Sequence, residues 1–296
     1  MSLQIKGLML ALFCLLLLPF ACRAGVPQDR PGADSKRPAI LLVTFGTSVA
    51  SAQAAFVNIE KQVKAVFPDT EIRWAYTSKI IRKKLAKNGV SIDSPETALA
   101  RLLDDGFAKV VVQSLHMIPG AEFQDLNAHA RLFGQMGFAK VEVSAPLLSS
   151  DEVMEKVLQM VVATVIPKER KPEEAVVLMG HGTHHISDAI YSALMYKAQK
   201  LDANLYVGTV EGHPTFDEVK AMLVQKGIKK AYLIPLMTVA GDHAKNDMAG
   251  DEPGSWKSQL AREGIASVPI LQGLAEFNPL VAFWIDNLKV AMARIQ

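Results

Sequence analysis

The chain has 296 residues, 50% of them hydrophobic and 21% charged, which supplies one large core or two medium ones and excludes a disordered chain. The 32 basic and 30 acidic residues leave a net charge of +2, too balanced for a protein that coats nucleic acid. Counts of 19 Gly and 15 Pro are ordinary and exclude collagen-like and low-complexity classes.

Residues 1–24 read as a secretory signal. Lys6 precedes the apolar run 8–20, and Cys22-Arg23-Ala24 serves as a small-x-small cleavage site. The run is 13 residues long, short of the about 20 that a membrane span needs, so no stable span is expected after cleavage. Cleavage removes Lys6 and Arg23 and no acid, which brings the basic residues level with the 30 acidic ones. It also removes both cysteines, Cys14 and Cys22, so the mature chain has no disulfide, no cysteine nucleophile and no thiolate metal ligand. The expected destination is the periplasm. Residues 25–37 are polar and rich in Pro and Gly, and read as a flexible leader.

From residue 38 the chain alternates strand and helix. Strands are expected at 40–45, 71–76, 109–117 and 140–143, and helices at 51–66, 79–87, 95–105 and 124–136. The charged, proline-bounded stretch 167–172 reads as a link between lobes. Beyond it, strands are expected at 176–179, 205–210, 231–237 and 268–271. The matching helices are at 186–200, 216–225, 255–263 and 279–295. Apolar runs without alternation, separated by helices, indicate parallel sheets covered on both faces. The fold class is therefore α/β: two similar lobes, 38–166 and 173–296, each a mainly parallel sheet flanked by helices, with the active-site cleft between them. The second lobe includes the long closing helix 279–295. Leu41-Leu42-Val43-Thr44-Phe45-Gly46-Thr47 echoes Val176-Val177-Leu178-Met179-Gly180-His181-Gly182-Thr183, a weak internal repeat.

The chemistry concentrates in the second lobe, which holds five of the seven histidines. His181 follows the 176–179 strand, Glu211 follows the 205–210 strand, and His243 follows the 231–237 strand after a short loop. They stand 30 and 32 positions apart, one βα repeat each. Equivalent points of successive βα units fall on one edge of a parallel sheet, so the three should converge at one rim facing the cleft. Two imidazoles and a carboxylate suit Co²⁺, Fe²⁺, Ni²⁺ or Zn²⁺ and leave coordination positions open for a substrate. His184 and His185 begin the next helix and are expected at the rim. His213 is turned by Pro214, His129 lies mid-helix, and His116 reads as a satisfied core or cleft-wall histidine.

Gly180-His181-Gly182-Thr183, Glu211-Gly212-His213-Pro214 and the long segment from Pro235-Leu236-Met237 through Ala240-Gly241-Asp242-His243 to Asn246-Asp247-Met248 resemble the anaerobic cobalt chelatases of cobalamin and sirohaem-type tetrapyrrole synthesis. Val43-Thr44-Phe45-Gly46-Thr47-Ser48, Ala75-Tyr76-Thr77-Ser78 and His116-Met117-Ile118-Pro119-Gly120 extend the resemblance through the first lobe, so it covers residues 38–296. These are class II chelatases, more distantly related to ferrochelatases. The resemblance implies insertion of Co²⁺, with Fe²⁺ as second candidate, into sirohydrochlorin bound between the lobes. The divalent metal is then a substrate, and no organic cofactor is inferred. It makes His181, Glu211 and His243 the metal-site residues and His181 the proton acceptor. The signal departs from the family's usual cytoplasmic setting.

Metal insertion needs the ring bent, its inner protons accepted and the ion's water removed. A cleft can distort the ring with remote binding energy, and an imidazole can accept a proton near neutral pH. A polycarboxylate ring needs cations around the cleft. Among Lys79, Arg82, Lys83 and Lys84, Arg82 is the candidate carboxylate contact. Thr47 and Ser48 at the first strand end, and Glu122, the pseudo-repeat counterpart of His243, complete the expected substrate contacts. A homo-oligomer is compatible with the sequence. The alternative is a periplasmic metal- or haem-binding carrier without turnover. Phosphoryl chemistry is a remoter option, because Gly180 rather than arginine precedes His181, and neither a Walker loop nor His-Glu-x-x-His is present.

Overall fold

The computed structural model describes residues 37–137 and 139–295. The signal 1–24 and, Arg37 apart, the leader 25–37 lie outside the described residues. Two four-stranded, all-parallel sheets carry the fold. The first has the order β2 (Ile72–Tyr76), β1 (Ala39–Thr44), β3 (Lys109–Ser114), β4 (Lys140–Val143). The second has the order β6 (Leu205–Thr209), β5 (Ala175–Gly180), β7 (Lys230–Pro235), β8 (Ala266–Pro269). Strand order is the same in both, which gives the sequence echo a topological counterpart. The central strands β1 and β5 are buried at every residue, because each is paired on both edges and covered on both faces. β8 starts two residues before the expected 268, directly after the turn at Gly264, whose φ is +70°.

Helices α1 (Gln53–Val66), α2 (Lys79–Lys87), α3 (Pro95–Asp104), α4 (Ala121–Gln135) and α5 (Asp151–Thr164) accompany the first sheet in the chain. Helices α6 (Ala189–Leu201), α7 (Phe216–Gln225), α8 (Trp256–Arg262) and α9 (Asn278–Ile295) accompany the second. Their starts are chemically specified. Ser78, Ser94 and Ser150 accept from the backbone N–H three residues on, and Thr215 with Glu218 forms a reciprocal capping box. α4 begins three residues earlier than the pattern indicates, which places Glu122 in its first turn.

The closing helix, expected with the second lobe, packs instead on the first: α9 lies against β3, β4, α1 and α5. Its eight buried positions, from Leu280 to Ile295 and including Trp284, form a wide apolar face. Asn287 Nδ2 donates to the carbonyls of Ala145 and Pro146 at 3.1 and 3.3 Å. α5 packs on α6 of the second half. A single hydrophobic cluster therefore runs from Ile40, Leu42 and Val111 through α5 and α9 to β5, β6 and β7. The other face of the first sheet, Ala39, Leu41, Val43, Val110 and Val112, forms a separate small core with α3 and α4. The stretch 167–172 is no loose tether. Arg170 donates Nε and Nη2 to the Glu174 carbonyl at 2.9 and 2.7 Å and pairs with Asp202. Among the described residues, no helix is long and apolar enough to cross a membrane.

Candidate metal site and cleft

His181, Glu211 and His243 leave the carboxyl ends of β5, β6 and β7, and local backbone chemistry fixes each one. At His181 the chain turns through Gly182, at φ +82°. A Cβ on Gly182 would lie 2.4 Å from the Gly212 nitrogen, so only glycine lets the two loops touch. The His181 carbonyl accepts from the N–H groups of Val210 and Glu211, at 3.2 and 2.9 Å, which ties the carboxylate-bearing loop to the histidine-bearing one. Asp188 clamps them further, accepting from Thr183 N–H at 3.0 Å and His213 N–H at 2.8 Å. Beneath them sits Tyr191, 2% exposed, whose hydroxyl burial pushes up to about 12 against backbone hydrogen bonds from Gly182 and His181. A side chain at Gly180 would strike that ring, 2.4 Å from its Cε1.

His243 opens a five-residue π-helical turn, Ala244–Met248. That turn brings Asp247 back onto it, with Asp247 Oδ2 2.5 Å from His243 Nδ1. His181 Nδ1 lies 3.0 Å from the Gly182 carbonyl. In each ring the acceptor places the proton on Nδ1 and leaves Nε2 free. The two rings stand 4.7 Å apart, edge to face at 88°. One ligand atom from each of His181, Glu211 and His243 lies within 4.8 Å of the others, the one such grouping of three among the described residues. Ligand atoms about 2 Å from one ion stand roughly 3.3 Å apart in tetrahedral geometry, a distance that small side-chain rotations close. The donor set fits a borderline divalent ion and leaves coordination positions vacant.

Glu122 faces this group from the first lobe. The residue is exposed, while its carboxyl is partly desolvated by the surrounding protein. That desolvation raises its pKa, the His181 charge opposes the rise, and the carboxylates of Asp125 and Glu211 add to it. Glu122 and Arg82 share a cavity of about 250 Å³ with Phe45, Thr77 and Asp125. The Arg82 Nε is buried without a hydrogen-bond partner, while the residue lines the cavity wall. Glu96 and His129 close the cavity and pair with each other at 2.8 Å. Thr47 and Ser48 lie outside its walls. Thr47 is buried, its hydroxyl accepts from Val49 N–H at 3.1 Å, and it faces Gly241 of the second lobe. His116 is only half satisfied. Its Nδ1 meets the Ser114 hydroxyl at 2.9 Å, its Nε2 is buried without a partner, and burial lowers its pKa to about 4.

Asp188, Tyr191 and Asp247 have no site role in the sequence-based expectation, although Asp247 lies in the segment that carries the resemblance. Asp247 carries a signal, four residues beyond His243 on what proves to be a helical turn. Asp188 and Tyr191 carry none, because their roles depend on loop contacts far along the chain.

The model of the family described as cobalt chelatase (CbiK) matches residues 38–293. The chain is 38% identical over 280 residues to a sirohydrochlorin cobaltochelatase, CbiKC, of Nitratidesulfovibrio vulgaris, covering 91% of this chain and 99% of that protein. It is 37% identical over 260 residues to a sirohydrochlorin cobaltochelatase of Salmonella typhimurium, covering 86% and 97%. Among solved structures, SirB from Bacillus subtilis with Fe³⁺ superposes with a TM-score of 0.58 at 16% identity, covering 87% and 96%, a likeness of fold.

Proposed function

The chain belongs to the cobalt chelatase (CbiK) family, and from that premise we propose that it inserts Co²⁺ into sirohydrochlorin through His181, Glu211 and His243. The observation that carries the reading is the gathering of two imidazoles and one carboxylate, within 4.8 Å, at the strand ends that face the cleft. Insertion exchanges a divalent cation for both inner N–H protons of the ring. Metal–nitrogen bonds form, N–H bonds break, and the protons pass to protein bases and then to solvent. His181 Nε2 is the first acceptor, with Nδ1 held by the Gly182 carbonyl. Glu122, opposite and within the electrostatic reach of His181 and Glu211, is the second. His243 and Glu211 hold the hydrated ion through few protein bonds, so the ring nitrogens can displace them. Arg82, on the wall of the first-lobe cavity, binds a ring carboxylate through its guanidinium, and Thr47 and Ser48, beyond the end of β1, are the further substrate contacts in this reading. Fe²⁺ suits the same donors.

The test is anaerobic absorbance with the purified protein, sirohydrochlorin and Co²⁺. Many turnovers in the parent, with His181→Ala and His243→Ala reduced to the protein-free rate, support the reading. A spectral change that stops at one equivalent of protein overturns it in favour of a carrier.

Insertion takes place after export, in this reading. Its support is the charge and apolar run of residues 1–24 and the absence of cysteine beyond them. N-terminal sequencing of protein from the periplasmic fraction should start near Gly25. Recovery of the unprocessed chain from the cytoplasm alone would reject export.

A further inference from the structure

A second hollow, of about 670 Å³, opens beside the metal-ligand group on the β6 edge of the second sheet. Its walls include His184, His185, Glu211 and His213, and neither His181 nor His243. Glu211 therefore borders both the hollow and the three-ligand group. No lysine or arginine lines the hollow, and Asp188 adds a second carboxylate to its wall.

The imidazoles there have nitrogens to spare. His184 is exposed, and neither of its nitrogens has a hydrogen-bond partner among the described residues. His185 commits Nδ1 to Ser187, at 3.0 Å from the hydroxyl and 3.2 Å from the N–H, and keeps Nε2 free. His213 Nδ1 faces the Glu218 carboxylate at 3.7 Å, a loose ion-pair distance, which leaves Nε2 uncommitted, and its side chain is 72% exposed. His184 and His213 thus neither cap a helix with their side chains nor fill a core. The loops that present them are nevertheless rigid, because Asp188 holds Thr183 N–H and His213 N–H together. Any Cβ on Gly212 would fall 2.1 Å from its Oδ1.

We propose that this hollow is a receiving site for a hydrated late first-row divalent cation, held by His184 and His213 and handed to His181 and His243 by way of Glu211. The inference rests on the insertion reading, for it supplies the ion that reading consumes. A ring lying in the cleft would face the open positions of the three-ligand group, and the ion needs a side approach. Glu211, shared by both places, provides one by exchanging one ion–water bond at a time with no change in charge. The hollow's imidazoles do not close into a set of three, so one or two protein ligands and several waters complete the shell. Such a site exchanges quickly, as delivery requires. Neutral imidazole selects Co²⁺, Ni²⁺ or Zn²⁺ over Mg²⁺ and Ca²⁺, which keep oxygen ligands.

The test counts Co²⁺ bound to the full chain without tetrapyrrole, by anaerobic equilibrium dialysis with excess Mg²⁺. Four proteins are compared: the parent, His184→Ala/His213→Ala, His181→Ala/His243→Ala, and the quadruple variant. His184 and His213 are exposed, and circular dichroism checks that each variant is folded. The expected result is a weaker class of bound Co²⁺ that survives loss of His181 and His243 and disappears when His184 and His213 are also replaced. In the insertion assay, His184→Ala/His213→Ala should raise the KM for Co²⁺ at least about fivefold. Equal Co²⁺ counts in the His181→Ala/His243→Ala and quadruple variants would overturn the proposal, and so would an unchanged KM. If the parent inserts no metal, the insertion reading fails, while the Co²⁺ counts still decide whether the hollow binds the ion.

Discussion

At the scale of single residues, the site is legible where the fold's own period writes it. His181, Glu211 and His243 stand one βα repeat apart, and parallel topology alone sends them to one sheet edge. What orients them is not periodic. Asp247 gains its role only once the segment after His243 forms a helical turn, because such a turn returns position i+4 to the histidine. A carboxylate on the far nitrogen of a ligating imidazole fixes its tautomer and strengthens it as a donor. Asp247→Asn keeps the shape and removes the charge. Its KM for Co²⁺ should rise by roughly 10- to 100-fold, with a smaller effect on the KM for tetrapyrrole. Equal rises in both constants would show that Asp247 merely supports the loop. His116 makes a separate prediction, for stability. Its pKa is depressed to about 4 in the fold against 6.5 as the ordinary value. Between those values the unfolded chain binds a proton that the native one refuses, so stability is full above about pH 6.5 and falls as the pH drops towards 4. The loss at pH 5 should be about 2 kcal/mol, and His116→Gln should abolish that share of it in urea titrations at pH 7 and pH 5.

At the scale of elements, the sequence reading and the fold part company where tertiary placement rather than periodicity decides. α5 is missing from the expected elements although its signs are present: the Ser150 cap, Asp151 and Glu152 in the first turn, and Met154, Val157, Leu158 and Val161 on one buried face. The adjoining charged prolines draw the eye to a linker. α9 is legible as a helix but not in its position, because an apolar face specifies burial without naming the partner. Trp284 anchors it, 1% exposed, with an indole Nε1 that is buried and unpartnered. Trp284→Ala should cost about 3–5 kcal/mol in urea unfolding, mostly from the cavity it leaves. Trp284→Phe should cost clearly less than half of that, since it retains most of the ring and removes the unsatisfied N–H. If Trp284→Ala costs less than about 1 kcal/mol, α9 does not depend on the packing of this ring.

At the scale of the whole molecule, sequence repetition and spatial independence separate. The repeat in strand order makes two lobes visible, and the eye cuts the chain at 167–172. The core does not respect that cut. α9 returns from the end of the second half to cover β3 and β4, α5 from the first half packs on α6, and one apolar cluster includes residues of both sheets. Polar contacts run the same way: Thr238 Oγ1 donates to the Leu115 carbonyl at 2.7 Å, and Asn58 Nδ2 to the Ala275 carbonyl at 3.0 Å. For a cleft enzyme this has a use. Glu122 and Arg82 belong to one sheet and the three metal-ligand candidates to the other, so a shared core sets their separation without a bound substrate. The physical consequence is testable with no assay of activity. A fragment of residues 38–166 lacks α9, which leaves β3 and β4 uncovered on the face that α1 and α5 only partly cover, so it should show little cooperative unfolding in urea. The intact chain should unfold in one transition, with tryptophan fluorescence and far-ultraviolet circular dichroism coinciding. A fragment that folds alone, or two separated transitions in the intact chain, would mean that the lobes are independent and that only substrate brings the two walls of the cleft into register.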